Sequence, residues 1–533
     1  MIGVIANPLD HAVVAEYFEL FKTPWELYRN DRQYEVLLCA GQEISAQRGT
    51  KLTLIFSGHE LRYDTAEQIQ IASCTTGRTL LYQGARVPIY GDTVTFQEIG
   101  TGVLLDEESQ QAAIWQKLSI GGAAVKRVGY DLFKEIRTLL TAGQPPANAS
   151  IPTLDLHIAL LRDLIVEAGA SLIEIPPVPD GYRFIACLTH DVDHPSIRRH
   201  QFDHTMFGFL YRAVPGSLFD WFRGRRSGRE LLTNWWAACK LPFVYLGWAN
   251  DFWLEFDHYA KLEDGRRSSF FVIPFKGRAG RKRQGLAPSY RASRYGAADI
   301  APQLKRLMSA GCEIGLHGID AWLDSSGRDE LEEIRSLTKA REIGVRMHWL
   351  YFDEHSPVAL ERAGADYDST VGYNETVGFR AGTAQVYKPL EANTLLELPM
   401  HIMDTALFYP NYLNLSPAAA RQQVKPVVTH AAQYGGAVTV NWHDRSIAPE
   451  RLWGSFYVEL IDELEKQGAW FATANEAVSW FRKRRSAAFE IVDESGVPKV
   501  KVPDGAGANL PGLCSRIHHS QDAHQFGVIA VAP

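Results

Sequence analysis

Two hydrophobic rhythms divide the chain. Over 1–179, short apolar runs at 35–39 and 51–56 predict strands, and apolar residues at helical spacing predict helices over 130–140 and 154–168, separated by a Pro/Ala/Asn-rich loop. The stretch Ile175-Pro176-Pro177-Val178-Pro179-Asp180-Gly181 then interrupts the pattern, because proline suits neither a helix interior nor a sheet ladder. Beyond it, a helix ending in glycine is followed at once by a strand-like run, as in Ala310-Gly311-Cys312-Glu313-Ile314-Gly315, Ala363-Gly364-Ala365-Asp366-Tyr367 and Gln467-Gly468-Ala469-Trp470-Phe471. Glycine at a helix C-cap before a buried strand is the rhythm of a parallel α/β sheet or barrel. The continuous apolar runs 184–188, 270–273 and 437–440 read as its buried strands.

These rhythms predict three parts: an N-terminal α/β domain over 1–179, a parallel α/β sheet or barrel over 180–486, and a short β-rich tail over 487–533 with a hairpin around Glu494-Ser495-Gly496. The length of 533 residues agrees with more than one core. The segment 195–265 interrupts the barrel with Trp221, Trp235, Trp236, Trp248 and Trp253 and the basic run Arg223-Gly224-Arg225-Arg226-Ser227-Gly228-Arg229. A helical cap with these aromatics in its core is the plainer expectation; stacking on sugar rings, or peripheral membrane contact through 205–236, is the functional one. A second basic run, Arg482-Lys483-Arg484-Arg485, reads as a solvated helix end.

Composition narrows the function classes. A hydrophobic fraction of 46% with 22% charged residues is that of a globular protein, and a net charge of −7 argues against nucleic-acid binding. No signal peptide is evident and no apolar run approaches a membrane span, so the expectation is a cytoplasmic protein, with the inner membrane face as a peripheral location. The six scattered cysteines read as reduced and structural.

The chemistry gathers at strand ends. Leu188-Thr189-His190-Asp191-Val192-Asp193-His194-Pro195 closes an apolar run with two carboxylates at i and i+2, which in extended chain share one side. Two carboxylates in one mouth call for a cation or a shared proton. Glu313-Ile314-Gly315-Leu316-His317-Gly318 places His317, a potential metal ligand, at the end of another strand. Gly344-Val345-Arg346-Met347-His348 offers Arg346 to orient a carboxylate or bind an oxyanion, and Val440-Asn441-Trp442-His443-Asp444 offers His443 as a general acid, supported by a carboxylate such as Asp444.

Taken together and in this order, the motifs resemble those of the polysaccharide deacetylase (NodB-homology carbohydrate esterase) superfamily over roughly 181–482. Gly315-Leu316-His317-Gly318-Ile319-Asp320-Ala321-Trp322, Tyr367-Asp368-Ser369-Thr370 and Gly378-Phe379-Arg380-Ala381-Gly382-Thr383 are similar to a bacterial subgroup with an extra N-terminal domain. The resemblance implies a distorted (β/α) barrel that removes an N- or O-acetyl group from a carbohydrate, with a divalent cation, zinc, activating water. It implies Asp191 as base, Asp193 and His317 as metal ligands, Arg346 as the residue holding Asp191, and His443 as acid. Arg380 and Trp442 are candidate substrate contacts. The superfamily's second histidine falls at Ala321, so His348 is the leading substitute ligand, with Asp320 and His194 behind it. Hydrolysis of another C–N bond, or carbohydrate binding without catalysis, are the competing expectations.

Overall fold

The computed structural model describes residues 1–41, 49–97, 103–118, 123–254, 256–323, 326–491, 498–503, 507, 509–519 and 527–530. In the N-terminal part, a six-stranded sheet runs in the order Ile114–Leu118, Ala124–Val128, Leu52–Phe56, Val36–Ala40, Ile2–Ile5, Trp25–Leu27, parallel except for the first pair. The predicted helices form at Leu132–Leu140, capped by the Asp131 carboxylate accepting from the Lys134 amide, and at Thr153–Glu167. Together with the helix His11–Phe21 they enclose one apolar core.

Nine parallel strands form a curled sheet in the second part: β1 (Phe184–Val192), β2 (Ser269–Val272), β3 (Glu313–Gly318), β4 (Gly344–Met347), β5 (Tyr367–Asp368), β6 (Leu396–Glu397), β7 (Ile402–Met403), β8 (Ala437–Asn441) and β9 (Ala469–Phe471). Their order is β6-β5-β4-β3-β2-β1-β8-β7, with β9 also paired to β1. All nine residues of β1 are buried, as a strand flanked on both edges and covered on both faces must be. Glycines at the expected helix ends, Gly364 among them in the left-handed conformation at φ 93°, turn the chain directly into the next strand. Every strand therefore delivers its C-terminal residues to one mouth.

Three expectations change. The 487–533 segment is more than an appendage: Cys514–His518 pairs antiparallel with Leu172–Glu174, and Leu513 joins an apolar core with Ile185 and Trp480. The expected hairpin pairs Ala488–Ile491 with Pro498–Lys501, its turn lying outside the described residues. The second basic run does not end in solvent. Arg484 is buried and donates to the Glu19, Leu20 and Ile175 carbonyls, while Arg485 forms an ion pair with Glu16. Finally, of the five tryptophans in 195–265 only Trp253 is core; Trp221, Trp235, Trp236 and Trp248 are exposed, beside exposed Phe207, Phe219 and Phe222. Among the described residues no helix is long and apolar enough to cross a membrane.

Glu174 joins the N-terminal part to the tail. Its carboxylate receives Arg162 at 2.8 Å and His518 at 3.1 Å, and although burial pushes its pKa up, the Arg162 charge and the His518 hydrogen bond pull it down to about 2. Glu174→Ala leaves half-buried Arg162 without that partner and is expected to cost about 2–3 kcal/mol, read in urea unfolding. Because the folded pKa is depressed, the contribution is present above the unfolded carboxylate pKa and is lost as pH falls from about 5 toward 2.

Candidate metal centre

Thr189 and Asp191 lie two apart on β1 and share one face; Thr189 pairs in register with Asn441 of β8. On that face Arg346, fully buried on β4, donates through Nη1 to Asp191 Oδ1 at 3.0 Å and Thr189 Oγ1 at 2.8 Å. Its remaining donors go to Ser369, and Phe271 lies beneath it with the ring centroid 4.5 Å away. Asn441 Nδ2 donates to the other oxygen of Asp191 at 2.7 Å. The carboxylate is thus held at both oxygens, by one side chain from the adjacent strand β8 and one from β4, three strands away. His190, pointing to the opposite face, is core: its ring packs on Tyr259 and Phe270, and Nε2 meets Glu263 Oε1 at 2.8 Å.

Asp193 sits just beyond β1. Its Oδ1 lies 3.4 Å from His317 Nε2 and 3.5 Å from His348 Nε2, and its Oδ2 lies 3.9 Å from His443 Nε2. One ligand atom from each of Asp193, His317 and His348 falls within a common 4.8 Å, and this is the grouping of its kind among the described residues. The donor set suits a divalent cation. Asp193 Oδ1 is buried without a hydrogen-bond partner, and His317 Nδ1–H donates to the Arg346 carbonyl at 3.0 Å, which aims Nε2 at the carboxylate. Two imidazoles and a carboxylate that leave further positions open match a catalytic rather than a structural site. Burial pushes the Asp193 pKa up, but the facing His317 imidazole and the His348 and His443 charges outweigh it and hold the carboxyl well below its usual range. Burial, which outweighs the opposing Asp193 charge and is reinforced by His317, Arg291 and His443, keeps His348 well below the usual histidine value. Both shifts leave the protonation states a metal requires.

His348 reaches the site through a distorted turn. Trp349 and Leu350, directly after it, adopt φ of 66° and 52°, a left-handed conformation that side chains other than glycine and asparagine rarely take. Arg291 pins this turn, donating to the His348 carbonyl at 2.7 Å and to the Ile319 carbonyl at 3.2 Å, so the ends of β3 and β4 are tied together. Ala321 is fully buried, and a Cβ added at Gly318 would come within 3.1 Å of the Ala321 methyl, so the position is packed around a small side chain. Of the other substitutes, Asp320 accepts from the Arg281 amide and His194 faces His200 at 3.1 Å; neither joins the grouping.

His443 closes the far side. Its Nδ1–H donates to Asp404 Oδ1 at 2.6 Å and its amide donates to Asp404 Oδ2 at 2.7 Å, leaving Nε2 to face Asp193. The supporting carboxylate is therefore Asp404 rather than the neighbouring Asp444, which instead accepts from the His194 amide. Burial opposes the imidazolium, yet Asp404 raises the His443 pKa to about 9. These groups line a cleft of about 680 Å³ whose further walls include Trp349, Tyr409, Tyr412 and Arg451.

The two expected substrate contacts do not line this cleft. Trp442 is fully buried, stacked on Phe456 at 6.1 Å and Tyr457 at 5.0 Å, because it follows Asn441 on the strand and takes the opposite face. Arg380 donates to the Gly372 carbonyl, and its own carbonyl accepts from the Gln144 amide, so it braces the barrel against the N-terminal part.

No family model matches the sequence, and no curated protein matches it. Among solved structures, the chain is similar to a protein described as a polysaccharide deacetylase from Mycobacterium smegmatis, at 18% identity over 58% of this chain and 95% of that one, with a TM-score of 0.35. A second described as a polysaccharide deacetylase, from Pseudomonas aeruginosa PAO1, matches at 16% identity over 58% and 94% with a TM-score of 0.35. An allantoinase matches at 14% over 57% and 91% with a TM-score of 0.33.

Proposed function

We propose that the chain is a metal-dependent deacylase of the polysaccharide deacetylase type, removing an acetyl group from an amino sugar or other glycan precursor. The observation that carries this reading is the convergence of Asp193, His317 and His348 within 4.8 Å at the strand mouth, with Asp191 and His443 beside them. A divalent cation, zinc, held by these three side chains would supply the charge that polarises an amide carbonyl and acidifies water.

The remaining steps belong to the protein's own groups. Asp191, fixed by Arg346 and Asn441, accepts the proton of the attacking water. His443, kept protonated by Asp404, gives its Nε2 proton to the departing amine as the C–N bond breaks. Arg346 is the positioning residue, and with Phe271 beneath it and donors to Ser369 it has no freedom to turn away.

The test is acetate release from N-acetylhexosamines, free and phosphorylated, by zinc-reconstituted protein. Wild type is expected to release acetate and Asp191→Asn to do so about 10²–10⁴-fold more slowly. Ring opening of allantoin with no acetate from any sugar would replace this reading with that of a cyclic-amide hydrolase.

A further inference from the structure

Part of the cleft wall is cationic in a way that water activation does not use. Arg212, Arg445 and Arg451 all line it. Arg451 is only 3% exposed, yet its Nε and Nη1 have no hydrogen-bond partner, and the Nε of half-buried Arg212 has none either. Among the described residues, none of the three has a carboxylate within ion-pair distance. Burying a guanidinium with unsatisfied donors is costly, so an anion that reaches these donors stabilises the arrangement.

The neighbouring acids do not fill this role. Asp404 is taken by His443, and Glu450, fully buried, accepts from Trp253 Nε1 through Oε1. Glu450 can balance one of the three arginines, which leaves an excess of positive charge larger than a single carboxylate would match. Burial and the charges of Arg445 and Arg212 pull the Arg451 pKa down to about 9, the response of a cation crowded by its own kind. Arg212 and Arg451 also line a second cleft of about 810 Å³, which continues to Arg223, Arg225 and Arg226 at the foot of the exposed aromatic helices.

We propose that Arg212, Arg445 and Arg451 form a phosphate-binding subsite, so that the substrate is an acylated sugar carrying a phosphate or diphosphate, its acyl group at the metal ligands and its phosphate on the shared wall of the two clefts. Guanidinium forks match phosphate oxygens, and three of them suit a polyanion. The substrate assignment rests on the deacylase reading; the subsite itself does not. Both a soluble sugar phosphate and a polyprenyl-linked one present this chemistry, and the second cleft leads toward the apolar, basic face that a lipid carrier would use.

Inorganic pyrophosphate is the binding probe, titrated calorimetrically into full-length wild type, Arg451→Gln, Arg212→Gln and Asp193→Asn. Binding at least tenfold weaker in both arginine variants and retained in Asp193→Asn is expected; Arg212, being half-exposed, is the informative variant if Arg451→Gln unfolds. Absence of pyrophosphate binding, or binding lost in Asp193→Asn alone, overturns the subsite. Acetate release then assigns the substrate: N-acetylglucosamine 1-phosphate is expected to be preferred over N-acetylglucosamine, with the preference falling at least tenfold in Arg212→Gln. A further gain for the same sugar on polyprenyl diphosphate in vesicles identifies the lipid-borne source, and no gain identifies the soluble one. Equal turnover of free and phosphorylated sugars overturns the substrate inference and leaves deacylation standing. Pyrophosphate binding with no acetate from any sugar keeps the subsite and rejects deacylation.

Discussion

Replacing Asp193 with asparagine, or His348 with alanine, lowers deacylation by about 10³-fold or more, because the polarising charge is worth several kcal/mol and each 1.4 kcal/mol is a factor of ten. The two changes act alike for a geometric reason. Asp193 Oδ1 stands 3.4 Å from His317 and 3.5 Å from His348, so removing either partner leaves two ligands facing a gap that no other side chain in the grouping fills. Adding excess zinc restores part of the activity if affinity alone is weakened, and initial rates across a zinc titration read this directly. Ala321→His does not rescue His348→Ala, since the fully buried Ala321 methyl already packs against Gly318.

The second large effect is expected at Asp404, which touches neither metal ligand nor substrate in this account and acts through His443. Asp404→Asn lowers kcat by about 10²–10⁴-fold with little change in KM, the signature of a proton donor removed from the transition state alone. Both Asp404 oxygens serve the same histidine, so the amide loses the charge that raises its pKa to about 9 and cannot accept at both positions. A raised pKa keeps the acid protonated at higher pH; without Asp404 the alkaline limb of the rate profile moves to lower pH. Asp404→Asn combined with His443→Gln is no slower than His443→Gln alone, because the two residues form one functional unit. A carboxylate that merely stabilised the loop would lower thermal stability and leave the pH profile in place.

The residues legible in the sequence are those whose position follows from a single strand. Asp191, Asp193 and His317 end apolar runs, and parallel strands bring their ends to one mouth, so reading the runs was enough to collect them. Their supporters are set by contacts between distant segments. Asp404 meets His443 across 39 positions, Asn441 meets Asp191 across 250, and Arg291 reaches His348 across 57. Asp404 did leave a signal: it ends the apolar run Met400-His401-Ile402-Met403, the same pattern that marked Asp191. Trp442 shows the converse: a candidate substrate contact in the sequence, it lies where strand alternation puts the ring in the core. The aromatic insertion and the 482–485 run were misread because composition does not say which face meets solvent: Trp236 and Trp248 lie outside, while Arg484 is sealed by three backbone carbonyls.

The central claim is that Asp193, His317 and His348 together hold a catalytic metal, and elemental analysis of protein purified without added metal and then dialysed against zinc tests it most directly. Close to one zinc per chain is expected in the wild type, with that zinc lost in His348→Ala as in Asp193→Asn and His317→Ala. A wild type that binds none, or a His348→Ala protein that keeps its full equivalent, would contradict it.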